Sequence, residues 1–337
     1  MTKLILTCDL CPGDIVMLTA AVRELHEHYP GQFLTDVRTS CPELWEHNPY
    51  LTPLSGDDPE VRVLACEYPL VNDSNTAPYH FIHGYTQFLE RELGVTLRPT
   101  RFQGDIHLSE DERRWLSQVG EVFGDEVPFW LVVTGGKTDY TTKWWLPERF
   151  QEVVDYFRGR LLLVQVGAGG DPHPDLRGTL DLRGRTSLRE LVRLVHHAQG
   201  VLCPVTSVMH LAAAVETPVG RPPLRPCVVV AGGREPPHWE AYPHHHFLHT
   251  LGALPCCEAG PCWRSRVVPL GDGSEHDAPS WLCQDVRPGP VPHCMELITS
   301  ADVIRRMEWC LTGGRHGVLD PDAARQVEEK LREQGRW

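Results

Sequence analysis

Residues 182–218 read LRGRTSLRELVRLVHHAQGVLCPVTSVMHLAAAVETP, and this stretch decides the fold. A polar turn leads into a run at 187–197 whose apolar residues recur at helical spacing. A short apolar strand follows at 200–203. The loop Pro204-Val205-Thr206-Ser207 then opens a second helix over 208–215, near Met209 and His210. A helix N-terminus leaves backbone N–H groups without internal partners and carries the positive end of the helix dipole. With the hydroxyls of Thr206 and Ser207 beside it, the turn is a ready site for a phosphate or diphosphate. His210, in the first turn of that helix, adds a titratable donor.

The alternation extends in both directions. Residues 3–7 form a short apolar strand, followed by a turn with Pro12-Gly13 and a helical pattern over 15–28 that Tyr29-Pro30-Gly31 stops. Strands are expected at 33–37 and 61–66, and a helix over about 79–93 ending at Gly94. Ser109 and Glu112 form a capping box that opens a helix reaching about 123. Residues 124–128 are the best linker. Beyond it come a strand (129–134), a helix (148–157), a strand (161–166), the opening stretch and a strand at 227–231. Residues 255–292 are rich in Gly, Pro and Cys, and 301–311 and 321–334 are closing helices. Strands alternating with helices predict parallel sheets. The expected architecture is α/β: two Rossmann-like domains facing across a cleft, with ligands at the carboxyl ends of strands. The boundaries are 1–125, 126–312 with the Cys-rich segment 255–295, and a helical tail at 313–337.

Length agrees, because 337 residues exceed what one core usually holds, roughly 250–300. A net charge of −13 argues against broad nucleic-acid binding, which needs a basic face. No apolar run approaches the roughly 18 residues of a membrane span, and no basic amphipathic helix stands out. Transient contact with a membrane surface stays open. The start, MTKLILTCDLCPGD, reads as a core strand rather than a signal peptide, so a cytoplasmic protein is expected. Twelve cysteines in that setting point to metal binding more than to crosslinks.

Taken in order, these segments resemble glycosyltransferase family 9, the ADP-heptose:lipopolysaccharide heptosyltransferases. Pro12-Gly13-Asp14-Ile15-Val16 is similar to that family's N-terminal Gly-Asp motif. Lys143-Trp144-Trp145-Leu146-Pro147 resembles its Lys-x-Trp-Pro element. Thr186–Leu191 and Met209–Ala214 resemble its diphosphate-binding region. Residues 228–233, then Trp239 and Tyr242-Pro243, resemble the strand and loop that follow. Cys262, Cys294-Met295, Ile298-Thr299 and Val303 resemble its Cys-bearing C-terminal segment. The resemblance implies the GT-B fold, an NDP-sugar donor with ADP-heptose the usual one, and a hydroxyl acceptor. Whether that acceptor is a glycan, a protein or a small molecule stays open. Two positions depart from the family. Its Asp-Ser-Gly or Asp-Thr-Gly is here Val205, Thr206 and Ser207, and a Glu common near the nucleoside is replaced within Gly167-Ala168-Gly169-Gly170.

Asp14 follows a strand and opens a helix, where a carboxylate faces the cleft. Glycosyl transfer needs a base for the acceptor hydroxyl's proton, and the resemblance favours that role over a helix cap. Lys143 would neutralise the leaving diphosphate; a solvated Lys beside a Trp pair is its plain alternative. Lys137 competes for the role, although Thr134-Gly135-Gly136-Lys137-Thr138 lacks Walker A spacing. Gly13, Thr206, Ser207, Met209 and His210 are further donor candidates. So are Gly232, Gly233 and Arg234, because a Gly pair at a strand's end lets a ligand approach closely. Cys257, Cys262, Cys283 and Cys294, with Cys256 spare, are candidates for a structural zinc or iron site in a loop with little core; buried free thiols are the alternative. Cys8-x-x-Cys11 is read as incidental packing, and the run His244–His246 as partly solvated. The expected function is inverting transfer of a sugar, a heptose by the resemblance. A non-catalytic nucleotide-sugar binder and a sugar-nucleotide epimerase are the rivals.

Overall fold

The computed structural model describes residues 1–68, 77–124, 127–312 and 316–337. In the first half, β1 (Thr2–Cys8) is flanked by β2 (Phe33–Thr39) and β3 (Val61–Ala65) in a parallel sheet of order β2–β1–β3. Leu4, Ile5 and Leu6 of β1 are fully buried, as a strand covered on both faces requires. Between β1 and β2 runs α1 (Pro12–His28), which starts with proline at its N-terminus and buries every residue from Ile15 to Leu25. The sheet covers one side of it and the second half of the chain another. A third side is wrapped by residues 100–105, which bond to the buried pair Arg23–Glu24. Next, α2 (His83–Leu93) ends at Gly94, whose φ of 65° is the left-handed cap that glycine adopts without strain.

The single helix expected from Ser109 to about 123 is two. α3 (Glu110–Arg114) is opened by the Ser109–Glu112 capping box, and α4 (Gln118–Phe123) by Ser117, whose Oγ accepts from the Gly120 N–H at 2.8 Å. A second cap inside the run lets Trp115 turn extended, with ψ 142°. The expected linker and both domain boundaries touch 125–126 and 313–315, which lie outside the described residues.

The second half is built on β4 (Phe129–Val132), α5 (Pro147–Phe157), β5 (Leu162–Gln165), β6 (Thr179–Asp181), α6 (Leu188–His197), β7 (Gly200–Pro204), α7 (Ser207–Ala214), β8 (Cys227–Gly232), α8 (Pro237–Glu240) and β9 (His245–His249). Its strands are all parallel, in the order β6–β5–β4–β7–β8–β9. That is the doubly wound order. It reverses between β4 and β7, where the loops part and leave a crevice. Beyond β9, a small hairpin of β10 (Val286–Arg287) and β11 (Val291–Pro292) leads to α9 (His293–Glu296), α10 (Ser300–Thr312) and α11 (Pro321–Glu333). α11 buries Val327 and Leu331 in the core, while Gln326 and Lys330 bond carbonyls at the end of α4.

One residue ties the helices around β7 together. Arg225, 3% exposed, donates to the carbonyls of His196 and Ala198 at the end of α6 and of Ala212, Val215 and Glu216 at the end of α7, at 3.0–3.2 Å. Helix ends carry unpaired carbonyls and negative partial charge, so a guanidinium is suited to cap both.

Candidate active site

The crevice at the β4–β7 switch is closed from above by α1. An ideal Cβ on Gly13 would lie 2.9 Å from Cδ2 of His210 and 3.7 Å from Cα of Ser207. The first turns of α1 and α7 are therefore in contact, and only glycine permits it. Asp14, next along, lies at that seam. Its Oδ2 accepts from the Cys11 N–H at 3.1 Å, and its Oδ1 from the Tyr68 hydroxyl at 2.6 Å. The capping role and the cleft-facing position thus coexist in one side chain. Burial pushes the carboxyl above its usual range, while Tyr68 and the charge of Lys143 pull it back. A carboxylate so placed is a stronger base than a solvated one.

On the other wall, Thr206 is the N-cap of α7 but makes no cap bond, and its Oγ1 is buried without a partner. No acidic residue stands in the first turn. This helix end is therefore unsatisfied in the way an anion would satisfy. Met209 is fully buried in the core, and its N–H bonds the Thr206 carbonyl at 3.1 Å. His210 bonds Tyr242 through Nδ1 at 2.6 Å. Full burial lowers its pKa to about 3, so it is a neutral imidazole at physiological pH. Gly135 is pressed on the Pro172 carbonyl, whereas Gly136 faces open space. Lys137, next in the loop, reaches across the seam to donate to Cys11 Sγ at 3.1 Å.

Lys143 does not stand free. Its Nζ lies 2.9 Å from Glu235 Oε1, and the same oxygen takes Arg234. Both cations also pack on the Tyr140 ring, at 5.3 and 5.1 Å. The two positive charges hold the Glu235 carboxyl below its ordinary value against a burial that would raise it. Glu240 has no such pair, and burial together with the charge of Glu235 pushes it up to about 8. Tyr68, Glu235 and Glu240 did not emerge from sequence reasoning, and Tyr242 entered only through the resemblance, without a role. The one local signal was a pair of acids in the Pro- and Trp-containing loop after a buried strand.

The close approach at Gly232 and Gly233 is used internally. A Cβ at Gly232, whose φ is +63°, would meet Met295 Sδ at 2.6 Å, and one at Gly233 would meet Cys257 Sγ at 3.0 Å. Behind them Cys256, Cys257, Cys262, Cys283 and Cys294 line one small cavity with Arg234 and Arg264. The thiols of Cys256, Cys262, Cys283 and Cys294 are all held above their usual range by burial, and a metal cation would reverse that by stabilising thiolates. The donor set suits zinc or iron. Among the described residues, the only three-ligand cluster with all atoms within 4.8 Å is Glu46–His47–Glu112. The sulfurs thus stand wider than the about 3.8 Å that tetrahedral bonds of about 2.3 Å impose, and the loop must contract onto an ion. Outside the site, Cys8 meets the Tyr85 hydroxyl at 3.4 Å. His244 is exposed, and His245 and His246 begin the edge strand β9.

Residues 66–219 match the family model for glycosyltransferase family 9 (heptosyltransferase). The whole fold matches a family 9 glycosyltransferase from Veillonella parvula at 14% identity, with a TM-score of 0.61, over 93% of this chain and 98% of that one. The segment 66–219 is thus similar to glycosyltransferase family 9, and the fold over the whole chain is that of the family's solved structures. E. coli ADP-heptose lps heptosyltransferase II matches at 13% identity, with a TM-score of 0.58, over 93% of this chain and 99% of that chain. The iron-containing dodecameric glycosyltransferase TibC from enterotoxigenic E. coli matches at 16% identity, with a TM-score of 0.57, over 92% of this chain and 78% of that chain. No curated protein matches in sequence. The family match over residues 66–219 and the GT-B fold together support a glycosyltransferase, an enzyme of sugar transfer. No helix among the described residues is long and apolar enough to cross a membrane.

Proposed function

We propose that the protein is an inverting glycosyltransferase that moves a heptose from ADP-heptose to an acceptor hydroxyl, with Asp14 as general base. A second TibC structure is in complex with ADP-D-beta-D-heptose, and an E. coli heptosyltransferase, WaaC, is in complex with ADP; the family resemblance brings both to this chain as a proposal. Residues 1–125 would face the acceptor and 126–312 would hold the donor. The observation that carries the reading is the seam itself. A desolvated carboxylate and the uncapped N-terminus of α7 meet there, with Lys143 close enough for its charge to act on Asp14.

The acceptor oxygen bonds to the anomeric carbon as the bond from that carbon to the diphosphate breaks on the opposite face. Its proton passes to Asp14. The leaving diphosphate takes the bonding pair and is held by the N–H groups of α7, the hydroxyls of Thr206 and Ser207, and Lys137. Lys143 and Arg234 add charge once Glu235 shares them. Gly13 lets the base come within reach, and neutral His210 offers a hydrogen bond without a charge. The cysteine cavity would hold a structural zinc or iron ion through Cys257, Cys262, Cys283 and Cys294, which would fix the loop behind Gly233. The net charge of −13 argues against nucleic acid as a partner, and a cytoplasmic location fits this chemistry.

Asp14→Asn tests the assignment. Transfer should fall by about 10²–10⁴-fold, the usual contribution of a general base, with ADP binding unchanged. Near-normal turnover in that variant would remove Asp14 from the chemistry.

A further inference from the structure

We propose that Glu240, together with the free oxygen of Glu235, binds hydroxyl groups of the transferred sugar; this rests on the donor reading above. Both residues follow β8, one strand over from α7, at the carboxyl edge where this sheet gathers ligands. Glu235 is 3% exposed, and its Oε1 takes Lys143 and Arg234 while its Oε2 is buried without a partner. Glu240 is 6% exposed, and its Oε2 is likewise buried and unpartnered. Buried carboxyl oxygens are almost always hydrogen-bonded, because nothing else returns the hydration they lose. Both oxygens lie within reach of the same charges, Lys143 and Arg234, and lack the partners that a polyhydroxylated ligand would bring.

The family's acidic position at the end of β7 is Val205, which is buried and apolar. Glu240, with its pKa near 8, carries a proton at neutral pH and can both donate to and accept from a sugar hydroxyl. Its chain neighbours Trp239 and Ala241 are held by the other half of the molecule. Phe81 donates its N–H to the Trp239 carbonyl at 2.7 Å and stacks on the Trp239 ring at 5.2 Å, and His80 Nε2 meets the Ala241 carbonyl at 3.0 Å. Parting this seam frees the helix that carries Glu240, and closing it on a sugar holds that helix again.

The test is calorimetry of the full chain with ADP and with ADP-heptose, read as the ratio of the two affinities. In Glu240→Leu that ratio should fall about tenfold, the loss of one good hydrogen bond, with ADP affinity within about twofold of wild type. Glu240→Gln keeps a donor and an acceptor and should keep most of the ratio. Glu240→Ala gives the same reading should the Leu variant melt early. An unchanged ratio in Leu and Ala variants, or equal weakening of both ligands, overturns the inference. So does a wild-type protein that binds ADP and gains nothing from the sugar. A wild type that binds neither ligand overturns the donor reading as well.

Discussion

Replacing Gly13 by alanine should separate stability from turnover. The new Cβ would sit 2.9 Å from His210 Cδ2 and 3.4 Å from Nε2. Carbon atoms prefer about 3.5–4.0 Å, so one side must retreat by about 0.6–1 Å. His210 has little room, because its Nδ1 is tied to the Tyr242 hydroxyl at 2.6 Å and that hydroxyl rests on Met17 Sδ at 3.3 Å. Within α1 the change is favourable by about 1 kcal/mol, since alanine is the better helix former. Overpacking costs about 1–3 kcal/mol, but here it is relieved by parting α1 from α7 rather than by unfolding either. The closed geometry is then disfavoured by about 1–2 kcal/mol, or roughly 5–30-fold. A base displaced by that distance loses further rate, up to about 10²-fold. Initial rates of ADP formation should therefore drop by at least about 5–30-fold in Gly13→Ala, while Tm stays close to wild type and ADP affinity falls by no more than the roughly 5–30-fold that closure loses. A variant with wild-type kcat would refute the reasoning, because the seam would then have no part in the reaction.

Arg225→Met leaves five buried carbonyls without their donor and should cost about 3 kcal/mol in urea unfolding, with Arg225→Lys intermediate. A loss under about 1 kcal/mol would mean that other donors fill in. Elemental analysis of purified protein should find about one zinc or iron per chain, with chelation lowering Tm and Cys262→Ser lowering the metal content; full thiol titration of an untreated, fully stable sample would count against the site. Glu240 titrates at about 8 in the folded chain against an ordinary 4.5. Its contribution to stability is thus complete below about 4.5 and lost as pH rises through about 8. Tm of the wild type should fall more steeply between pH 6 and 9 than that of Glu240→Gln, and parallel curves would place the titration elsewhere.

Much of this was legible because it is local. The stretch 182–218 carries its own punctuation: Ser187 caps α6, an apolar run makes β7, and a polar loop precedes α7. The approach of Gly13 to His210 is consistent with reading both as cleft residues, yet nothing local says that they touch. Pairings made by the tertiary fold were out of reach. Tyr68 lies 54 positions from Asp14, and Lys143 meets its acid only after β8 has been laid beside β7. The break at Trp115 was missed because its helical periodicity outweighed a second serine cap. The glycines after β8 looked open to a ligand, because a sequence cannot show that a distant methionine and cysteine occupy the space.

The meeting of α1 with α7 has a mechanical consequence. Each helix brings the equivalent of about half a positive charge to the same point. Asp14 offsets the first, but the second has no acid in its opening turn. Without an anion, the positive end of α7 stands uncompensated at the seam; with one, the two halves are drawn shut. Under the donor reading, the nucleotide acts as a latch as well as a reactant, and ADP after transfer still fastens it. Letting go of the product then means prising the halves apart, a step that quickens as salt screens the attraction.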